Sequence, residues 1–122
     1  MAIRVNYVVL YVNDVALCRD FWVNRVGMIE KECVEVGEYS VVKVGFADQD
    51  FSFELVPLGM MADNPYGLDL ATPSIALHVD DLEAARDRLI EKGVEAMEIG
   101  DHGGILSFAF SDPEGRWFAV TG

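Results

Sequence analysis

Two stretches of the chain share one order of apolar and polar residues. Residues 7–20 read YVVLYVNDVALCRD and residues 74–87 read SIALHVDDLEAARD, with five identical positions at a constant offset of 67 residues. In each stretch an alternating run rich in β-branched residues predicts a strand. The run ends at Asp14 in the first copy and at Asp81 in the second, where a carboxylate can cap the first turn of a helix. The pattern therefore predicts two strand-to-helix units related by an internal repeat.

The helix predicted after each cap has apolar residues three and four positions apart, which is the spacing of one buried helix face. In the two helices these positions are Val15, Cys18, Trp22 and Val26, and Leu82, Ala85 and Leu89. Phe21 and Trp22 are predicted to be core residues. Gly27 and Gly93 follow the two helices and are typical of left-handed C-terminal stops.

Three strand-like runs follow each predicted helix, separated by turns rich in Gly, Asp and Pro. They cover about residues 30–37, 39–46 and 51–57, and then 94–99, 104–111 and 116–121. Each half thus has the order βαβββ, and the fold class is α+β. The segment 59–72 has no clean period and links modules at about 1–58 and 73–122 of a single domain. Because each half alone would bury too little surface, we expect the modules to pair and form a concave mixed sheet with helices on the outside.

The composition fits one ordinary globular domain. Of the 122 residues, 52% are hydrophobic and 25% are charged, which excludes intrinsic disorder. The net charge of −12 makes nucleic acid and anionic membrane surfaces poor partners. No apolar run approaches the roughly 18 residues of a spanning helix, and the N-terminal residues do not resemble a signal peptide, so we expect a cytoplasmic location. Cys18 and Cys33 belong to no CxxC motif and are expected to be buried, small apolar residues.

Several phrases of the sequence, taken in order, are typical of one family. They are YVVLYVNDVALCRDFWVNRVGM and SIALHVDDLEAARDRLIEKGVE at the two strand-to-helix units, FELVPL closing the first half and FSDPEGRWFAV closing the second. With these phrases the whole chain resembles the vicinal oxygen chelate superfamily, which groups glyoxalase I, bleomycin-resistance proteins and extradiol dioxygenases. The resemblance implies the paired βαβββ fold. It leaves the function open, because the superfamily hosts several chemistries and pure binding proteins on one scaffold.

Metal-dependent members of the superfamily have His or Gln on the first strand and Glu on the last strand of each half. The resemblance maps these positions to Tyr7, Glu54, Ser74 and Ala119, and only Glu54 fits. A Lewis-acid metal needs about three ligands of neutral nitrogen or anionic oxygen, so we expect neither a metal nor another cofactor. His78 is predicted to lie roughly 13 Å along the strand from Ser74. His102 lies in a Gly-rich segment, residues 100–104, whose reach the sequence leaves open.

The two-residue period of the strands assigns side chains to two faces. The face predicted to meet the helices and form the core has Val8, Leu10, Phe53, Leu55, Ile75, Leu77, Phe118 and Val120. The other face is predicted to be a mostly apolar, aromatic hollow with Tyr7, Val9, Tyr11, Ser52, Glu54, Val56, Ser74, Ala76, His78, Trp117, Ala119 and Thr121. The ligand-binding candidates are Tyr7, Tyr11, Glu54, Ser74, His78 and Trp117. Aromatic walls with one carboxylate suit a planar or cationic guest.

The candidates also have interpretations without a ligand: Glu54 as a carboxylate bonded to Tyr7 or Ser74, and Trp117 as a packing or dimer contact. The leading hypothesis is a homodimer similar to bleomycin-resistance proteins, which binds a small organic molecule without a metal and without chemistry. The alternative is an enzyme, a glyoxalase I-like lyase, an isomerase or a dioxygenase, in which Glu54 is the general base or the one retained metal ligand. A third hypothesis is an interaction module with an occluded hollow.

Overall fold

The structure is a computed structural model that describes residues 5–65 and 67–122. The chain divides into two compact units, the first ending at Thr72 and the second beginning at Pro73. Each unit contains a four-stranded mixed sheet, and its main elements follow the order βαβββ. The α+β class and the duplicated order of elements predicted from the sequence repeat are therefore confirmed.

The first unit is built on four strands and one main helix. In chain order its elements are β1 (Tyr7–Val12), α1 (Val15–Asp20) with a π-helical continuation (Phe21–Val26), β2 (Ile29–Val36), β3 (Tyr39–Gly45), β4 (Ser52–Pro57) and a 3-10 helix (Leu58–Met61). The sheet order is β1-β4-β3-β2, with β1 parallel to β4 and the other pairs antiparallel. The last strand, β4, therefore lies inside the sheet, while β1 and β2 form its edges.

The second unit repeats this plan with shorter outer strands. Its elements are β5 (Ala76–His78), α2 (Leu82–Glu91), β6 (Gly100–His102), β7 (Ile105–Ser111) and β8 (Trp117–Thr121). The sheet order is β5-β8-β7-β6, with β5 parallel to β8. Among the helices of the two described ranges, none has both the length and the apolar character to span a membrane.

The 3-10 helix Leu58–Met61 overlaps the start of the predicted linker 59–72. Tyr66 of that linker, and residues 1–4 of the predicted module 1–58, lie outside the described residues. The limits of the two modules and of the linker stay predictions.

Each main helix begins at the aspartate that the repeat identified. Oδ1 of Asp14 accepts a hydrogen bond from the backbone N–H of Leu17 at 3.0 Å. Oδ1 of Asp81 accepts one from the backbone N–H of Ala84, also at 3.0 Å. Both bonds satisfy a donor that the first helical turn leaves free. The predicted capping role of the two aspartates is confirmed.

The first helix widens after its first turns. Over Phe21–Val26 it is π-helical, and its end is closed by a hydrogen bond of 3.1 Å from the N–H of Gly27 to the carbonyl of Trp22. Gly27 has a φ of +102°, and Gly93 after the second helix has a φ of +80°, as predicted for left-handed stops. A π-turn bonds residues five apart. Apolar residues three and four positions apart therefore no longer lie on one face of the helix, and Val26 is only half-buried.

Trp22 is the centre of the core of the first unit. Its side chain is fully buried, and its ring meets the rings of Phe21 and Phe53 edge to face, with centroids 5.2 Å and 5.1 Å apart. The other fully buried side chains of this unit are Leu10, Val12, Cys18, Val44 and Leu55. The prediction that Phe21 and Trp22 are core residues is confirmed.

The other residues predicted to form the core are only partly buried as expected. Leu10, Phe53, Leu55, Phe118 and Val120 are buried, whereas Val8, Val15, Val26, Ile75, Leu77, Leu82, Ala85 and Leu89 are only half-buried. Two positions assigned to the hollow, Ser52 and Val56, are buried instead of open. Alternation along a strand predicts which face a side chain takes, but it does not predict how completely that face is covered.

In the second unit, phenylalanines of the sheet supply the buried cluster. Phe110 and Phe118 stack with ring centroids 5.7 Å apart, and Phe108 is buried beside them in the same sheet. No described residue of α2 is fully buried. Part of its attachment is polar, because Nε of Arg86 donates a hydrogen bond of 2.7 Å to the carbonyl oxygen of Met97.

The prediction of a strand at residues 94–99 is wrong. That stretch contributes a single bridge between Ala96 and Phe110, and the strand forms later, as β6. Gly103 and Gly104 both have positive φ, +66° and +89°, which is the backbone of a tight two-residue hairpin between β6 and β7. The Gly-rich segment is therefore a β-hairpin, and His102 is the last residue of its first strand.

Cys33 is exposed, and its predicted burial is wrong, whereas Cys18 is buried as predicted. Cys33 lies on β2, an edge strand, which its neighbours leave largely uncovered. Partial desolvation raises the pKa of the Cys33 thiol, and the negative charges of Glu35 and Glu30 raise it further. The thiol should therefore be mostly protonated at neutral pH and slow to react.

We predict that replacing Trp22 with Ala lowers the free energy of unfolding by about 3–5 kcal/mol, because the change empties the centre of a packed aromatic cluster. Trp117→Ala is the matched control. Its side chain is 43% exposed, and we expect a change within about 0.5 kcal/mol. Urea unfolding followed by far-ultraviolet circular dichroism measures both. Equal losses for the two variants would contradict this account of the core.

We predict that Glu35→Gln speeds alkylation of Cys33 by iodoacetamide at pH 8 at least about twofold, because the change removes a negative charge that disfavours the thiolate. The alkylation rate increases less than the fraction of thiolate does, since a thiolate becomes a weaker nucleophile as the pKa of its thiol falls. Peptide mass spectrometry over time follows the reaction, with buried Cys18 as the unreactive reference. Glu38→Gln is the matched control. It also removes one negative charge, but Glu38 does not contribute to the shift of the Cys33 pKa. A rate as fast in Glu38→Gln as in Glu35→Gln would refute the local effect.

Candidate functional site

The face of the first sheet opposite the helix has a row of charged side chains. Both chain neighbours of Glu54 are buried, so Glu54 projects from this opposite face. Backbone pairing puts Glu54 between Val9 of β1 and Lys43 of β3. Lys43 pairs in turn with Glu32 of β2. The register of the sheet thus holds one lysine between two carboxylates on neighbouring strands.

A β-bulge decides which residue faces Lys43 from the edge strand. Glu30 pairs with Val44, and regular pairing would bring Lys31 opposite Lys43, but the register shifts and Glu32 takes that position. Bulges of this kind re-aim side chains at sheet edges. The Nζ of Lys31 instead donates hydrogen bonds to backbone carbonyl oxygens of the loop before β4. The bulge therefore replaces a repulsive pair with an attractive one.

Four side chains of this face form one contact group, which we call the Lys43 cluster: Tyr7, Glu32, Lys43 and Glu54. Nζ of Lys43 lies 3.2 Å from Oε2 of Glu32 and 3.9 Å from Oε2 of Glu54. The same nitrogen lies 4.3 Å from the centroid of the Tyr7 ring, within cation–π range. One ammonium thus contacts two carboxylates and an aromatic ring.

The cluster is partly shielded from water. The side chain of Lys43 is 25% exposed and that of Glu54 is 18% exposed, whereas Glu32 at the edge is 53% exposed. The hydrogen bond to Glu32 raises the pKa of Lys43, partial desolvation lowers it, and the charges of Glu32 and Glu54 raise it, with a raised pKa as the net result. Lys43 therefore stays protonated through neutral pH.

The ion pair with Lys43 was missed from the sequence, which offered Tyr7 or Ser74 as partners for Glu54. The alternation of Val42, Lys43 and Val44 in the sequence was a usable signal, because it puts the lysine on the opposite face of the strand from the two valines. The structure buries both valines, and Lys43 lies on the face of Glu54. To predict that Lys43 lies directly opposite Glu54, the register of β3 against β4 would have had to be known.

Among the predicted ligand contacts of the first unit, the structure brings Tyr7 and Glu54 together through Lys43. Tyr11 is on the same face of β1, four residues beyond Tyr7, which corresponds to roughly 13 Å of strand. It is half-buried and pairs in register with Val56. Tyr11 therefore lies away from the Lys43 cluster.

A row of three alanines crosses the corresponding face of the second sheet. Ala119 of β8 pairs with Ala76 of β5 on one side and with Ala109 of β7 on the other. We call these three residues the alanine strip. Since neighbouring strands are about 4.8 Å apart, the strip is an apolar surface roughly 10 Å across. Trp117, 43% exposed, is on the same face of β8 two residues before Ala119.

The polar candidates of the second unit are exposed. Ser74 precedes β5 and lies outside any strand. His78 ends β5, pairs in register with Thr121, and has its Nε2 at 3.6 Å from Oδ1 of Asp80. The His78 side chain is 71% exposed. His78 and Trp117 thus lie on opposite sides of the alanine strip along the strand direction, because Trp117 and Thr121 are at the two ends of β8.

The donor set does not fit the metal centre of the metal-dependent relatives. Of the four mapped positions, Ala119 has no donor, Ser74 and Tyr7 have hydroxyls, and only Glu54 has an anionic oxygen. That oxygen already faces the ammonium of Lys43. In the part of the chain that the structure describes, no three His, Cys, Asp or Glu side chains are grouped so as to hold a metal ion.

Comparisons with known proteins give a family and several structural neighbours. The sequence model described as Glyoxalase/Bleomycin resistance protein/Dioxygenase superfamily matches residues 4–120. A comparison with curated proteins gives no match.

Among solved structures, the chain is similar to TnmS3, an antibiotic binding protein from Streptomyces sp. CB03234, with 25% identity, a TM-score of 0.80 and coverage of 99% of this chain and 97% of that one. A superfamily member from Sphaerobacter thermophilus DSM 20745 has 22% identity and a TM-score of 0.82, with 98% and 97% of the two chains covered. A glyoxalase/bleomycin resistance protein from Streptomyces sp. CB03234 has 22% identity and a TM-score of 0.72, with 95% and 97% covered.

Proposed function

Because the chain belongs to the glyoxalase/bleomycin resistance protein/dioxygenase superfamily, we propose that it binds a small, planar organic molecule and carries out no metal-dependent chemistry. The proposed contacts are Tyr7, Tyr11 and Glu54 on the first sheet, and Ser74, His78 and Trp117 on the second. The homodimer and the cytoplasmic location expected from the sequence stay predictions.

The observation that carries the proposal is the alanine strip beside Trp117. A row of methyl groups on three paired strands offers an apolar surface, and an exposed indole two residues away offers an aromatic ring. Binding sites for small molecules are mostly apolar and aromatic, with a few polar groups that fix orientation. Aromatic contacts favour stacked or edge-to-face arrangements, which a planar guest can meet.

A structural neighbour supports the same class of function. TnmS3, which has 25% identity over nearly the whole chain, is named an antibiotic binding protein. Antibiotics are small organic molecules, so the scaffold of this neighbour is used for binding of the kind proposed here.

The enzymatic alternative, with Glu54 as general base or metal ligand, lacks an observation of its own. A general base must be free to take a proton from its substrate, and Glu54 lies 3.9 Å from the ammonium of Lys43. A metal on Glu54 would lie close to the same ammonium and be repelled by it. The geometry therefore favours binding over chemistry.

We predict that the protein binds acridone, a neutral three-ring planar probe, and that Trp117→Ala weakens this binding by about two- to tenfold, because aromatic contacts add about 0.5–1.5 kcal/mol. Protein is titrated into a fixed low concentration of acridone, and the anisotropy of acridone fluorescence is recorded. A thermal shift with acridone gives an independent readout.

The control is Ile90→Ala on α2, whose side chain is 44% exposed, close to the exposure of Trp117. We expect this variant to bind acridone as the unmodified protein does. The proposal fails if acridone shows no saturable binding, or if Ile90→Ala weakens it as much as Trp117→Ala.

A further inference from the structure

The first sheet already contains a cation at the place where a cationic guest would bind. Two carboxylates, Glu32 and Glu54, and the face of the Tyr7 ring are the groups that attract cations on this surface. All three are in contact with the single ammonium of Lys43.

The backbone register makes Lys43 the neighbour of both carboxylates. Lys43 is directly opposite Glu54 in the β3–β4 pair and directly opposite Glu32 in the β2–β3 pair. The second opposition exists only because of the bulge between Glu30 and Glu32, without which Lys31 would face Lys43. Opposite charges directly across a sheet stabilise it, and like charges destabilise it.

The partial burial of the cluster makes its electrostatics stronger than those of a surface pair. The Glu54 side chain is 18% exposed and that of Lys43 is 25% exposed. Charges held in such surroundings are less screened by salt and water than exposed ones. A guest cation would therefore have to displace Lys43 or accept its repulsion at close range.

We propose that Lys43 is a built-in counter-ion that determines ligand specificity: it occupies the cation position on Glu54, Glu32 and Tyr7, and it thereby disfavours cationic guests relative to neutral ones. The inference rests on the proposed function, because it takes the first sheet as part of the ligand-binding surface. It also adds to the misfit of the metal donor set, since Glu54, the one retained position, already faces an ammonium of the chain itself.

The test compares 9-aminoacridine, a planar cation at pH 7, with neutral acridone on the full chain and on Lys43→Met. Methionine keeps an unbranched side chain of similar length and removes the charge. We expect Lys43→Met to bind 9-aminoacridine at least about tenfold more tightly, since the freed carboxylates and ring then face the guest. Acridone affinity should stay within about twofold. Fluorescence titrations at low salt measure both.

Lys92→Met is the matched control for net charge, because it removes one positive charge from the C-terminal end of α2, in the other unit. It should leave 9-aminoacridine affinity within about twofold. Adding Glu54→Gln to Lys43→Met should cancel most of the gain. Circular dichroism and thermal melts verify that each variant is folded, and Lys43→Gln serves if the methionine variant is not.

The outcomes separate the two proposals. A gain for 9-aminoacridine in Lys43→Met that Lys92→Met lacks supports the role of Lys43, whatever acridone does. Equal or weaker binding of 9-aminoacridine by a folded Lys43→Met, or an equal gain in Lys92→Met, overturns that role. Failure of acridone to bind the unmodified protein refutes the proposed function alone.

Discussion

The parallel pairing of the first and last strand in each unit is the constraint on which the other features depend. It inserts the last strand between the first and the third, so that β4 and β8 have a neighbour on both sides. A residue at the middle of such a strand is flanked on both sides by partners in fixed register. Glu54 lies between Val9 and Lys43 for this reason, and Ala119 lies between Ala76 and Ala109. The same plan thus yields a charged cluster in one unit and an apolar strip in the other.

The repeat in the sequence predicted the order of elements, and the repeat together with the phrases FELVPL and FSDPEGRWFAV indicated the family, which the superfamily match over residues 4–120 confirms. Both depend on local signals: a period of two in the strands, a capping carboxylate, and a glycine stop with positive φ. Asp14 and Asp81 accept their helix-capping hydrogen bonds as predicted. Such signals survive because they satisfy backbone groups whatever the tertiary context.

Features that depend on pairing between distant segments were harder to predict from the sequence. The strand expected at 94–99 forms at β6, because two consecutive glycines with positive φ set the hairpin and hence the register. The opposition of Lys43 and Glu32 depends on a bulge, and a shift of one residue changes which side chain faces which partner. Burial of α2 was overestimated, since the period of a helix indicates a face and says nothing about the area that covers it.

The pairing of Lys43 with Glu54 across β3 and β4 has a consequence for how the first sheet behaves in different media. Because the compensating charge is tethered to β3 by its own backbone, its local concentration beside Glu54 is set by bond lengths and does not vary with the surroundings. Dilution, dialysis or a chelator cannot strip it away. The ammonium is in place beside both carboxylates as soon as the strands pair.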